Sequence, residues 1–407
     1  MKIADVKTFV VENPPPQLGG PYWVFVKLYT DNNIDGVGEA FGVPFDPNLV
    51  GRMIEEVAER HVIGMNPFNI EKLWRSVYGR AYSQHPDMTL MGVLSALEMA
   101  LWDIVGKALG QPVYNLLGGK AHERLRSYTY IYPSGKEDWK PAEGRETKVV
   151  NDSNLWNDAE WTSSRAAEYV KQGFTALKFD PILPMSVFDP RQISLEELER
   201  SARVVGATRE AVGTKADLLI GTHGQTTPAG AIRFAKNIER YFPLWFEEPV
   251  PPDNIEGMAL VARATSIPIA TGERLATKYD FANLFRANAA AIIQPALGRV
   301  GGILECKKIA GMAEAHHVQI APHLYCGPVE AAANIQIATC SPNFLVQESI
   351  EQFGGFHSEI IKKPIRWEEG YIIPPTEPGL GVELNEAVAL AHPYKGNLFP
   401  EMVETPL

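Results

Sequence analysis

Trp245-Phe246-Glu247-Glu248-Pro249 and Ala270-Thr271-Gly272-Glu273-Arg274 are the two stretches on which the reading of this chain turns. Each closes an apolar, strand-like run, Pro243 to Phe246 and Ile267 to Ala270, and each stops abruptly on an acid beside Pro or Gly. A charge taken out of water is expensive unless it is paired or binds a metal. Two readings are open: strand ends closed by salt bridges, or hard oxygen ligands of the kind that suit Mg2+. Glu247 and Glu273 lie 26 residues apart, about one strand–loop–helix–loop unit. Adjacent parallel strands would place both carboxylates at one rim of a sheet.

The same beat runs outward in both directions. Strand-like runs recur at Phe174–Phe179, Ala216–Ile220, Leu244–Phe246, Ile267–Ala270, Ala290–Gln294, Val318–Ala321 and Phe344–Gln347, with amphipathic helix-like segments between them. Alternation at this spacing argues for parallel βαβ units. With Arg124–Ile131 as a first strand, the spacing predicts a (β/α)8-type, TIM-like barrel, whose chemistry sits at the C-terminal ends of its strands. Glu247 and Glu273 are at such ends. Other strand ends carry reactive groups too: Lys178 and Asp180 share one face on the second by alternation. Gly221 and His223 do so on the third, His323 ends the seventh and Glu348 the eighth. For each, structural pairing and a functional role are both open readings.

Composition narrows the class. The chain has 407 residues, 45% hydrophobic and 21% charged, ordinary for a globular enzyme of two domains. A net charge of −11 argues against nucleic acid or an anionic membrane as partner. No apolar run is expected to reach bilayer length, and Met1-Lys2-Ile3-Ala4-Asp5 reads as an immediate strand rather than a leader. Three cysteines, Cys306, Cys326 and Cys340, have no metal-type or disulfide spacing, which fits a reducing cytoplasm. Cys326 reads as an inert buried thiol rather than a nucleophile.

Residues 1–123 read as an α+β cap. A small antiparallel sheet occupies 1–42, with Val24–Tyr29 and Gly36–Glu39 flanking the turn Asp31-Asn32-Asn33. The Pro- and Gly-rich segment Pro14 to Trp23 is either a lid or a plain hairpin. A helix over Ser95–Leu109 stops at Gly110 and Pro112. The barrel then covers 124–370, and 371–407 is a C-terminal segment returning to the cap. Two loops, Pro133–Asn157 and Pro181–Ser194, are long for a barrel and lie at its active rim. Tyr130 and Tyr132 either reach a substrate or pack together. The pair Gly301-Gly302 either binds an anion at the next helix N-terminus or permits close packing.

Taken together, the motifs resemble the enolase superfamily in its mandelate racemase subgroup, over nearly the whole chain. The residues that carry the resemblance are Gly36-Val37-Gly38-Glu39-Ala40, Ser95 to Asp103, Phe246-Glu247-Glu248-Pro249, Gly272-Glu273 and Arg299-Val300-Gly301-Gly302. Within that subgroup the chain resembles the third type of galactarate dehydratase. That likeness rests on Lys178-Phe179-Asp180-Pro181, Gly221-Thr222-His223-Gly224-Gln225 and Lys363-Pro364-Ile365-Arg366-Trp367-Glu368. The resemblance implies Mg2+ held by Glu247 and Glu273, His323 as an acid or base, and Lys178 and Glu348 around the substrate carboxylate. It also implies a symmetric homo-oligomer and a small-molecule sugar acid as substrate.

Three positions depart from the family's pattern. Gly221 stands where the family has its first metal-ligating Asp, Asp180 where it has a second Lys, and Ala296 where it has the Asp that orients the seventh-strand His. Asp180 would restore the carboxylate lost from strand three, with His223 as the rival third ligand; oxygen donors suit Mg2+ better. If Asp180 ligates, His223 stays free as acid or base. Gln294, on the same face as Ala296, is the expected substitute partner for His323.

The resemblance implies proton abstraction beside a carboxylate and loss of the β-hydroxyl, giving a 2-keto-3-deoxy acid, with galactarate as the substrate. His223 and His323 would face each other across the barrel, their roles unassigned. An epimerase or lactone cycloisomerase on the same enolate is the rival enzyme. A sugar-acid binding protein without turnover is the rival from another class.

Overall fold

A computed structural model describes residues 1–42, 44–82, 84–133, 155–182 and 192–396. The expected loops Pro133–Asn157 and Pro181–Ser194 therefore fall largely outside the described residues.

Three strands, β1 (Ile3–Glu12), β2 (Tyr22–Thr30) and β3 (Asp35–Ala40), pair antiparallel in sequence order. Helices α1 (Pro47–His61), α2 (Ile70–Tyr78), α3 (Met88–Leu109) and the short α4 (Val113–Leu116) follow. Helix α3 begins earlier than its apolar face suggests, because the Asp87 carboxylate accepts the Leu90 N–H and caps it. It ends on Gly110, left-handed at φ 65°. Contrary to the expectation of no bilayer-length run, α3 is apolar and long enough to cross a membrane, yet 78% of that window is buried inside the fold. It is the spine of the cap, packed against β3.

The barrel strands are β4 (Leu125–Tyr130), β5 (Ala176–Phe179), β6 (Asp217–Ile220), β7 (Trp245–Glu247), β8 (Ile269–Thr271), β9 (Ile292–Ile293), β10 (Gln319–Ile320) and β11 (Gln347–Ser349). Neighbours pair in parallel from β4 through β10, and β11 pairs back onto β4, while Ile320 bridges to Phe344 ahead of β11. The ring is thus closed. Between successive strands lie α5 (Ala159–Lys171), α6 (Leu195–Val212), α7 (Pro228–Ile238), α8 (Ile255–Ala264), α9 (Thr277–Arg286), α10 (Ile303–Ala315) and α11 (Pro328–Thr339), with the short α12 (Phe356–Glu359) after β11.

The eighth strand pairs at different points on its two sides. Phe344 bridges to Ile320 and the Leu345 N–H donates to the Ile320 carbonyl at 2.9 Å, whereas the polar Gln347 to Ser349 pair with Ser127 to Thr129. Two further strands, β12 (Arg366–Glu368) and β13 (Tyr371–Ile373), form a hairpin that extends β4 antiparallel. After α13 (Glu386–Ala391), Pro393 bridges to Val11 of β1.

Inward-facing positions fix where chemistry can occur. Tyr128, Ala176, Leu219, Trp245, Ala270, Ile292, Ala321 and Val346, one from each strand's run, cluster inside the barrel as an apolar floor. Two residues onward, alternation brings up Tyr130, Lys178, Gly221, Glu247, Gly272, Gln294, His323 and Glu348. The polar ring of the barrel mouth is therefore built directly on a dry floor.

Candidate active site

Lys178 is the hub. It is buried inside the barrel mouth, where its ammonium is salt-bridged to Glu247 Oε1 and lies 3.9 Å from Glu348 Oε1. Burial alone would lower its pKa, but Glu247, Glu348, Glu273 and Asp180 together hold it well above the usual lysine value. Four carboxyl groups thus share one ammonium.

Those acids answer differently. Burial pushes Glu348 up to about 8, against the pull of Lys178. Burial also raises Glu247, opposed by Lys178. For Glu273 burial opposes ionisation, but the cationic groups around it outweigh that and keep it below the usual carboxylate range. Glu273 Oε2 lies 3.4 Å from His323 Nε2 without hydrogen-bond geometry, and is a buried oxygen with no hydrogen-bond partner. The neighbouring acid of the first stretch, Glu248, is turned away from Lys178: Arg274 Nε donates to its Oε2 at 2.8 Å. One residue of each stretch thus serves the mouth and the next locks the two together.

Asp180 lies in the space Gly221 leaves. A Cβ built on Gly221 would stand 2.0 Å from Asp180 Oδ1. The carboxylate missing from the third strand is thus replaced, in place, by one from the second. Asp180 also meets His223 Nδ1 at 3.2 Å through Oδ2, and the Tyr130 hydroxyl donates to its Oδ1 at 3.3 Å. Burial would lower His223, but Asp180 overrides this and holds it up to about 9, protonated at neutral pH.

His323 is the opposite case. Burial pushes it down to about 3, with Glu273 opposing and Arg299 and Lys178 reinforcing. The expected partnership with Gln294 is absent: His323 Nδ1 and both side-chain polar atoms of Gln294 are buried without a hydrogen-bond partner. Gln294 directly follows β9, and its side chain makes no hydrogen bond to the ring.

The structure thus gathers Lys178, Asp180, His223, Glu247, Glu273, His323 and Glu348 at the mouth. Among the described residues, no group of three or more His, Cys, Asp and Glu side chains is spaced as ready-made metal ligands; the acids are drawn onto Lys178, His223 and His323 instead. The donor set nevertheless fits a hard divalent cation: Asp180, Glu247 and Glu273 offer oxygen, Glu273 has a spare one, and the Gly221 gap is filled by a carboxylate.

Several site neighbours were not singled out from sequence. Trp245 Nε1 donates to Glu247 Oε2 at 3.1 Å, and its signal was the Trp-x-Glu alternation inside the opening stretch. Trp156 stacks on Tyr130 at 5.4 Å, and Leu18 from the Pro14–Trp23 segment packs on Tyr130 and Tyr132. Arg299 lies over the Phe41 ring at 4.1 Å. The Gly301-Gly302 question closes on packing: a Cβ on Gly302 would meet Glu98 Oε2 at 2.2 Å, and Glu98 itself accepts the Ile303 and Leu304 N–H groups.

Comparison with known proteins agrees with this geometry. Residues 17–118 match the mandelate racemase/muconate lactonizing enzyme N-terminal domain, and 161–388 the enolase C-terminal domain-like family. The chain belongs to the enolase superfamily, in its mandelate racemase subgroup. A D-galactonate dehydratase of Verminephrobacter eiseniae is 33% identical over 396 residues, covering 96% of this chain and 94% of that protein. A D-xylonate dehydratase of Haloferax volcanii is 29% identical over 405 residues, covering 98% and 91%. Among solved structures, a protein of Labrenzia alexandrii DFL-11 carrying the mandelate racemase/muconate lactonizing name has a TM-score of 0.93 at 57% identity, covering 100% and 99%. One from Jannaschia sp. CCS1 has 0.91 at 46%, covering 98% and 99%.

Proposed function

We propose that this chain is an acid-sugar dehydratase, a hydro-lyase that removes the proton α to a carboxylate and expels the β-hydroxyl. The observation that carries the reading is the surplus of carboxylates around Lys178, with a spare Glu273 oxygen and two histidines on opposite strands. The dehydratase names of the relatives support the same class.

Asp180, Glu247 and Glu273 would hold Mg2+, with His223 the alternative third ligand. When bound, that ion supplies positive charge where the enolate's negative charge develops. Lys178 and Glu348 take the substrate carboxylate, Lys178 by its ammonium and Glu348 by hydrogen bonding. The contacts of the two rings favour His223 as the acid, since its Nδ1 meets Asp180 Oδ2 at 3.2 Å, and leave His323, whose Nδ1 has no hydrogen-bond partner, as the base. The α-proton passes to His323, and the β-oxygen leaves as water with a proton from His223. The enol then tautomerises to a 2-keto-3-deoxy acid. The Pro14–Trp23 segment, through Leu18, closes over the aromatic side of the mouth. As part of the same reading, galactarate is the substrate and the chain is a cytoplasmic homo-oligomer. It is divided at residues 1–123, 124–370 and 371–407.

The test is a panel of hexarates and hexonates incubated with Mg2+ and assayed for 2-keto acid. Turnover of an acid sugar is expected, with galactarate fastest. No product across the panel counts against the dehydratase. Solvent deuterium entering unchanged substrate without water loss would point instead to an epimerase.

A further inference from the structure

His323 is the site group whose support is hardest to find. Ala296 is too short to reach it, Gln294 does not bond it, and its Nδ1 is buried without a partner. An acid–base imidazole held by nothing would lose the orientation that makes it useful.

The support comes from the cap. Phe41, directly after β3, lays its ring against the imidazole, with centroids 5.3 Å apart and planes 31° apart. The Phe41 backbone is pinned to the barrel by its N–H on the Gly298 carbonyl at 3.1 Å. Its ring is pinned by the Arg299 guanidinium at 4.1 Å. Two residues earlier, Glu39 is fully buried and accepts the Gly327 N–H at 2.6 Å and the Glu330 N–H at 2.9 Å. Gly327 ends the loop that His323 begins. At the other end of that loop Glu348 Oε2 accepts the Leu324 N–H at 2.7 Å, and Asn334 Nδ2 donates to the His323 carbonyl at 2.8 Å. The loop is thus tied to the barrel at its start and to the cap at its end, and its ring rests on a cap aromatic.

We infer that the cap segment Glu39-Ala40-Phe41 positions His323, replacing the missing orienting carboxylate: Glu39 fixes the loop and Phe41 fixes the plane of the ring. Both are positioning residues. The consequence is that docking of the cap and readiness of His323 are one event. The inference rests on His323 acting in proton transfer, and the test separates the two claims.

Phe41→Ala, Phe41→Tyr, Phe41→Leu and Glu39→Gln are compared by steady-state kinetics on the best acid sugar, by thermal melting and by crystallography of the substrate-free protein. Phe41→Ala is expected to lower kcat by about 100-fold, as a displaced catalytic group does, with KM within about twofold, the pattern of an interaction that acts in the transition state. Its His323 ring is expected to occupy a rotated or split position. Phe41→Tyr keeps the ring face and restores kcat to within about threefold. Glu39→Gln leaves one acceptor oxygen where Gly327 N–H and Glu330 N–H each had their own, and is expected to lower kcat by about 10-fold with KM within about twofold, as loss of a supporting partner does; an unchanged kcat would remove Glu39 from the inference. If Phe41→Ala does not fold, Phe41→Leu, which keeps volume without a ring face, is expected to show the same loss. A raised KM with kcat unchanged would overturn the inference, making Phe41 a substrate wall. So would a His323 ring unmoved in Phe41→Ala. If the wild type turns over no acid sugar, the functional reading fails while the crystallographic arm still decides whether the cap orients the ring.

Discussion

Buried carboxylates occur in two regions of this molecule, and they are satisfied in different ways. At the seam between cap and barrel, Glu39, Glu98 and Asp103 are all fully buried. Each accepts two backbone N–H groups: Glu39 those of Gly327 and Glu330, Glu98 those of Ile303 and Leu304 together with the Trp102 indole N–H, and Asp103 those of Val37 and Leu380 together with the Lys107 ammonium at 2.8 Å. Glu98 and Glu39 thereby cap the N-termini of α10 and α11, where partial positive charge collects. At the mouth, Glu247, Glu273, Glu348 and Asp180 face chiefly side-chain cations, and Glu273 keeps an oxygen unpaired. A carboxylate closed by backbone amides is a fastener. One closed by a movable ammonium, or left open, can exchange its partner for a metal or a substrate.

The largest effect expected from this contrast is at the mouth. Glu247→Gln or Glu273→Gln should reduce kcat/KM by about 1000-fold or more in steady-state assays; a loss of less than about tenfold would instead make these acids fasteners. A smaller loss, about 100-fold, is expected for Gly221→Asp, whose Cβ meets Asp180 Oδ1 at 2.0 Å. The double variant Asp180→Gly/Gly221→Asp should recover most of it, since the acid is only moved between strands; a double variant as inactive as the single would break the equivalence of the two positions.

The seam should respond in the reverse sense. Glu98→Ala leaves two buried N–H groups unpaired, at about 1–3 kcal/mol of stability, with kcat per folded molecule unchanged. Denaturant unfolding and active-site normalised rates check this together. The smallest effect is in pH. Burial, then Glu330, pushes Glu39 up to about 8, and burial pushes Glu98 up to about 7. A carboxyl raised in the folded state stabilises below its unfolded pKa, and that contribution is lost as pH rises through the folded value. Melting of metal-free protein should therefore fall from about pH 4.5 to about 8, and Glu98→Gln should flatten the lower part. A melting temperature that rises across that window contradicts the assignment.

What was legible in the sequence follows the same divide. The βα beat and the acids at strand ends could be read because parallel strands buried on both faces are continuous apolar runs, and an acid interrupting one stands out. Lys178, Glu247, Glu273, His323 and Glu348 were visible on that ground. The eighth strand runs two residues past the expected Phe344–Gln347: Phe344 bridges to Ile320, but the pairing with β4 continues through the polar Glu348 and Ser349, which no apolar run marks. The support of His323 was not legible. Gln294 had the right alternation but not the reach, and the actual support, Phe41 and Glu39, lies some 280 residues away (323 − 41 = 282; 323 − 39 = 284) in the cap, where no local pattern announces a contact.

The central claim is that Glu247 and Glu273 hold a divalent cation at the barrel mouth. Calorimetric titration of Mg2+ into metal-stripped wild type, Glu247→Gln and Glu273→Gln tests it most directly. One Mg2+ per wild-type chain is expected, with both variants weakened by about 100-fold or more, as when a ligand or its support is removed. A wild type that takes up no Mg2+, or variants that bind it as tightly as wild type, would contradict the account.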